Sequence, residues 1–190
     1  MSRAGPLLGL GVASAFAVTL LAAPSLSAQG NRFALGGGAT FPTGDYGDIA
    51  KTGWHATGSI NFGRHDSRFG FLIDGTYSEL GLKDTGTFEV RHQWIYGTGN
   101  LVFRFKRAGS SKFNPYIIGG GGVYHSKGIG KDIDLFGDTS ATDFGVNGGL
   151  GLNYGLTGIV LYLEARYHTV FSDPSNNNFI PITIGIRFGR

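Results

Sequence analysis

The chain has 190 residues and a formal net charge of +3, from 16 Lys and Arg against 13 Asp and Glu, with 34 glycines and no cysteine. So small a charge surplus marks no nucleic-acid surface, and the lack of cysteine excludes disulfides and thiolate metal sites. After the first 28 residues no apolar run approaches the ~20 residues that a spanning helix needs, so any membrane crossing must be made by strands.

Residues 1–28 have signal-peptide architecture: one charge at Arg3, an apolar run from Pro6 to Ala23, and the small-residue segment Pro24-Ser25-Leu26-Ser27-Ala28. Cleavage is expected after Ala28. Residues 29–190 then form one domain, with no linker or charge block dividing them.

Alternation of apolar and polar residues predicts eight strands. The first, near 32–40, places Phe33, Leu35, Gly37 and Ala39 on one face. The second, over 53–62, sets Trp54, Ala56, Ile60 and Phe62 against His55, Thr57, Ser59 and Asn61. The third, over 69–78, sets Phe69, Phe71, Ile73 and Tyr77 against Asp74, Thr76 and Ser78, with Leu72 out of place on the polar side. In the fourth, roughly 88–105, the apolar parity changes from Val90, Trp94 and Tyr96 to Leu101, Phe103 and Phe105. Such a slip calls for a bulge, and Gly97 or Gly99 is expected to supply it.

The fifth strand, over 115–124, is ambiguous because Gly119 to Gly122 offers no side chains to read. The sixth opposes Phe144, Val146, Leu150, Leu152 and Tyr154 to Asp143, Asn147 and Asn153. In the seventh, Leu161, Leu163, Ala165 and Tyr167 alternate with Tyr162, Glu164, Arg166 and His168. The eighth carries Ile180, Ile182, Ile184, Ile186 and Phe188 opposite Pro181, Thr183, Gly185 and Arg187.

Short connections near 64–68, 106–112 and 155–158 alternate with longer ones near 41–52, 79–89, 125–142 and 171–178. Outer-membrane barrels have short periplasmic turns and longer external loops, and an even strand count returns both termini to the periplasm. The long loops sum to about −5 and the short turns to about +4. Parity by itself leaves the sign of the faces open, because a soluble lipocalin-like carrier turns its apolar face inward and a membrane barrel turns it to lipid.

The mature region resembles the small outer-membrane β-barrel family, the OmpA-like and OmpX-like eight-stranded barrels. The residues that carry the resemblance are Phe33-Ala34-Leu35-Gly36-Gly37-Gly38, the segment from Tyr162 to His168, and the closing Ile182-Thr183-Ile184-Gly185-Ile186-Arg187-Phe188. It implies an eight-stranded antiparallel up-and-down transmembrane barrel in the outer membrane, monomeric, among membrane lipids and lipopolysaccharide. It also implies that Phe188 serves as the terminal aromatic read by the barrel-insertion machinery, although Gly189 and Arg190 follow it. A structural or surface-interaction role with an unnamed surface ligand is expected. A narrow channel is the alternative, and a lipid A-modifying enzyme or a soluble carrier stands third.

An interior polar network is expected from Glu164, Arg166 and Arg187, with Asp74, Arg91 and Asp143 as partners. An eight-stranded interior is roughly filled by side chains, so this network reads as a plug before it reads as a path. Trp54, Trp94, Tyr77, Tyr96 and Tyr124 are expected in the aromatic girdles. No cofactor or metal is expected: the acidic stretch 132–143 fails an EF-hand register at Phe136 and Asp143. Acidic loops sharing divalent cations with lipopolysaccharide phosphates remain an option. His168, Ser172 and Glu164 invite comparison with outer-membrane lipid A deacylases, but along an extended chain His168 and Ser172 lie roughly 13 Å apart. No catalytic role is therefore expected.

Overall fold

The computed structural model describes residues 32–63, 67–83, 90–106, 111–130 and 140–189. The signal segment 1–28 and most of the acidic stretch 132–143 lie outside the described residues. The elements are β1 (Arg32–Thr43), a short helix α1 (Asp45–Ile49), β2 (Gly53–Phe62), β3 (Phe69–Gly81), β4 (Val90–Arg104), β5 (Phe113–Gly130), β6 (Ser140–Gly155), β7 (Val160–Val170) and β8 (Asn177–Phe188). Each strand pairs antiparallel with the next, and β8 returns to β1, so the sheet closes as a barrel.

Closure leaves no open sheet edge to pair with another chain. The strand ends joined by short connections share one mouth with Arg32 and Phe188. The strand ends joined by the longer connections, and α1, lie at the other.

The faces carry the sign expected of a membrane barrel. Leu35, Phe71, Ile73, Leu101, Ile117, Phe144, Leu163 and Ile184 are exposed on the outer wall, and Leu150 is 67% exposed. Asn61, Asp74, Thr76, Asn100, Asn147, Glu164, Arg166 and Thr183 are buried inside. An aqueous protein would gain nothing from an apolar outside around a polar inside, so the lipocalin-like carrier is overturned.

Strand β4 corrects one expectation. Its register with β3 runs unbroken from Phe69↔Phe103 to Gly81↔Arg91, so no bulge occurs at Gly97 or Gly99. Parity is constant and the environment changes instead. Toward the loop mouth the outer face becomes polar, with Arg91 and Gln93, while Trp94 and Tyr96 turn inward. Trp94 is 1% exposed.

Three of the five residues expected in the girdles, Trp94, Tyr96 and Tyr124, are therefore lumen residues, because the strands extend beyond the apolar band and their amphipathicity inverts there. Trp54 and Tyr77 do face outward, with ring centroids 5.5 Å apart. At the mouth carrying the termini, outward phenylalanines cluster instead: Phe69 on Phe103 at 5.1 Å, Phe62 on Phe71 at 6.4 Å, and Phe113 on Tyr154 at 4.8 Å.

Inward glycines make room for inward tyrosines. A Cβ on Gly151 would overlap the Tyr116 ring, and one on Gly185 would overlap Tyr162. The sequence pattern is thus small on one strand and large on a neighbour, which fills a narrow lumen.

Two substitutions test this architecture by urea unfolding in micelles, followed by the heat-dependent gel shift. Leu150→Arg on the lipid face is expected to cost about 2–4 kcal/mol, the range for a cation set into the apolar band. Gly151→Ala is expected to cost about 1–3 kcal/mol by overpacking against Tyr116.

Candidate functional site: the filled lumen

Because side chains alternate across each strand, β3, β4, β5, β7 and β8 each aim polar groups at one level of the lumen. Arg166 on β7 is the hub. Its Nη1 donates to Asp74 Oδ2 on β3 at 2.8 Å, and its Nε donates to Glu164 Oε1 at 2.8 Å. Arg166 Nη2 lies 2.7 Å from the same Glu164 oxygen.

Asp74 also accepts from Thr98 Oγ1 and Asn100 Nδ2, each at 2.9 Å. Glu164 Oε2 accepts from Tyr116 OH at 2.6 Å, and Arg187 Nη2 on β8 donates to that hydroxyl at 2.8 Å. The Arg187 guanidinium lies over both the Tyr116 and Tyr162 rings, 5.0 and 4.5 Å from their centroids.

Two carboxylates and two guanidiniums thus cancel in charge, and each acid is held by several donors. That is the condition under which buried ions are tolerated. Four of the six residues expected in the network meet here: Asp74, Glu164, Arg166 and Arg187.

Arg91 does not, because odd-numbered β4 residues face outward. Arg91 pairs with Glu79 at 3.1 Å on the outer wall, where Tyr77 also donates to Glu79. Asp143 is also separate. It stands near the loop mouth and accepts from Ser172 Oγ at 2.7 Å.

Above the network, His55 bonds Thr40 at 3.0 Å through Nδ1 and Thr183 at 2.9 Å through Nε2. His168 Nδ1 bonds Tyr124 OH at 2.9 Å, and its ring stacks on Phe179 at 5.1 Å. Between these levels is a cavity of about 20 Å³, lined in part by His55, Asp74, Arg166 and Pro181. That volume is about one water.

The loop mouth is closed by α1. Tyr46 enters the lumen, accepts from Trp94 Nε1 at 2.9 Å and lies 3.0 Å from His92 Nδ1. Burial pushes the Tyr46 hydroxyl up to about 12, so it stays a neutral donor. Tyr46, Ala50, Leu80, Trp94, Tyr96, Tyr124, Val170 and Phe179 form one buried cluster. Backbone bonds from Lys51 N to Gly81 O at 2.7 Å and from Lys83 N to Ile49 O at 2.8 Å tie this connection to the β3 end.

Sequence pattern missed this plug because an inward Tyr or Trp has the same hydropathy as an outward one. The change of apolar parity within β4 was the signal available, and it marks the passage from an aromatic lumen to a lipid-facing wall. Leu72, out of place in the pattern, joins Val102, Tyr116 and Ile118 in a second, smaller cluster inside.

His168, Ser172 and Glu164 are not brought together as hydroxyl-based acyl chemistry would need. Ser172 bonds Asp143 and accepts from Asn177, His168 bonds Tyr124, and Glu164 is engaged by Arg166 and Tyr116. A nucleophile must lie within hydrogen-bond reach of its base. Among the described residues no group of three or more His, Cys, Asp or Glu is placed to hold a metal ion. Phe188 ends β8 on the outer wall.

A family model described as outer membrane protein beta-barrel domain matches residues 13–188. The fold is similar to that of Neisserial surface protein A, at 14% identity over 85% of this chain and 97% of that one, with a TM-score of 0.64. It is also similar to a major outer membrane protein from Thermus thermophilus, at 12% identity over 83% and 98% of the two chains, TM-score 0.57. The attachment invasion locus protein Ail of Yersinia pestis matches at 15% identity over 84% and 99%, TM-score 0.53. No curated protein matches the chain significantly in sequence.

Truncating the hub tests the network. Arg166→Ala leaves Asp74 in the lumen without a cation and Glu164 with Tyr116 and Arg187 alone, and is expected to destabilise the barrel by about 3–5 kcal/mol in urea unfolding. The combined Asp74→Leu, Glu164→Leu, Arg166→Met, Arg187→Met variant, which removes all four charges together, is expected to lose less.

Proposed function

This chain belongs to the outer membrane protein beta-barrel domain family, and from that membership we propose that it is a closed, non-conducting barrel whose rigid wall presents its longer connections to partners outside the cell. It lies in the outer membrane, among lipid and lipopolysaccharide.

One observation carries the reading: the lumen is obstructed at two successive levels. The Asp74–Arg166–Glu164–Arg187 network crosses it, and the Tyr46–Trp94–Phe179 cluster fills it nearer the loop mouth. Opening a path would strip ions of partners they cannot replace in a narrow low-dielectric interior, which costs several kcal/mol. A narrow channel is the alternative, and it requires both levels to rearrange.

Catalysis has no part in the proposal, since His168 and Ser172 each hold other partners. The outer-wall groups near the loop mouth, Trp54, Tyr77, Arg91 and Glu79, suit an interface of headgroups and sugars, where aromatic rings with polar tips anchor a barrel. Phe188 is the residue we assign to recognition by the insertion machinery. Closure without an edge supports a monomer.

In planar bilayers the wild-type barrel is expected to give no discrete conductance steps, whereas a variant opened at both levels, Glu164→Ala and Arg166→Ala combined with Tyr46→Ala and Phe179→Ala, gives small ones. Regular wild-type steps would establish the channel instead. A peptide tag inserted after Ser175 is expected to bind antibody on intact cells, which reads the presentation half of the proposal separately.

A further inference from the structure

At the mouth carrying the termini, the lumen widens into a cavity of about 200 Å³ lined by Arg32, Arg104, Lys112 and Arg187, with Asn114 and Asn153 beside them. In outer-membrane barrels this mouth faces the periplasm. Arg187 is shared with the neutral network above, and Arg32, Arg104 and Lys112 add cations to it with no acid in the lining among the described residues.

Two of the cations are built into the barrel, Arg104 being 3% and Arg187 6% exposed. Arg104 Nη2 donates to Asn61 Oδ1 at 3.1 Å, a neutral partner. Arg187 gives one nitrogen to Tyr116, while its Nε is buried without any hydrogen-bond partner. Arg32, Arg104 and Arg187 line this one cavity together. Three guanidiniums thus converge from β1, β4 and β8, with one donor unused and one acid, Glu164, 3.7 Å behind Arg187.

A filler for plain water would not be built this way. Clustered cations with a free donor are stabilised by an anion that offers several acceptor oxygens, and guanidinium forks match such oxygens in pairs. On the measure by which the 20 Å³ cavity holds about one water, this space holds on the order of ten, room for a small tetrahedral oxyanion with water around it.

We propose that this vestibule binds a soluble phosphate-bearing anion from the periplasmic side. The hydrogen-bonded wall separates the inward arginines from the leaflet, so a headgroup tethered by acyl chains outside does not reach them. The proposal is independent of surface presentation and stands whether or not the lumen conducts.

The test is calorimetric titration of the folded barrel in zwitterionic detergent and Tris chloride with sodium phosphate, against sodium chloride at matched ionic strength. Saturable phosphate binding is expected, with a Kd on the order of 1 mM or tighter. Arg32→Gln and Lys112→Gln, each at a position less buried than Arg104, are expected to weaken it about tenfold while the gel shift stays unchanged. Heats that chloride reproduces, or phosphate binding that both variants retain in full, would overturn the proposal. So would stabilisation seen only in phosphatidylglycerol vesicles and never with free phosphate, which would assign the cluster to the lipid leaflet.

Discussion

A backbone placed in hydrocarbon has no water to bond, so every N–H and C=O must find its partner within the protein. For strands this forces closure, and closure at eight strands fixes the width of the interior. The remaining features follow from that width. An eight-stranded lumen is too narrow to hold bulk water and too long to be left empty, so it must be packed with side chains that the inward parity of each strand supplies. The inward glycines at Gly151 and Gly185 belong to the same constraint, since Tyr116 and Tyr162 occupy the space that their side chains would need.

Packing could have been apolar throughout, and at the two levels around Leu72 and Tyr46 it is. Between and below them it is ionic. Burying four charges is costly, and the arrangement offsets that cost by neutrality and by multiple donors to each carboxylate, not by solvent. The charge pattern along the axis is then graded: an aromatic seal toward the loops, a neutral ion network in the middle, and an excess of cations at the mouth with the termini. The gradient puts the obstructed part of the barrel at the loop end and leaves the opposite mouth basic.

Much of this was legible in the chain itself. The two-faced strands β2, β6, β7 and β8 are read correctly by alternation, because their outer faces lie in hydrocarbon and their inner faces carry Asn, Glu, Arg and Thr. Four members of the ion network follow from that parity. Strand β4 shows the limit. Alternation identifies an apolar parity and cannot distinguish lipid from an aromatic plug, so the inward Trp94 and Tyr96 mimic an outward face and suggest a bulge that the unbroken register excludes. Arg91 was misplaced for the same reason.

The sequence by itself determined strand number, the order of short and long connections, and the separation of polar from apolar faces, because these are local consequences of a period of two. Only the tertiary structure decided which face lies inside, which acids meet which arginines, and that the Tyr46 segment folds into the mouth. Those outcomes depend on contacts between residues far apart in the chain, Asp74 with Arg166 and Tyr46 with Trp94, which no local periodicity encodes and which exist only once the sheet has closed.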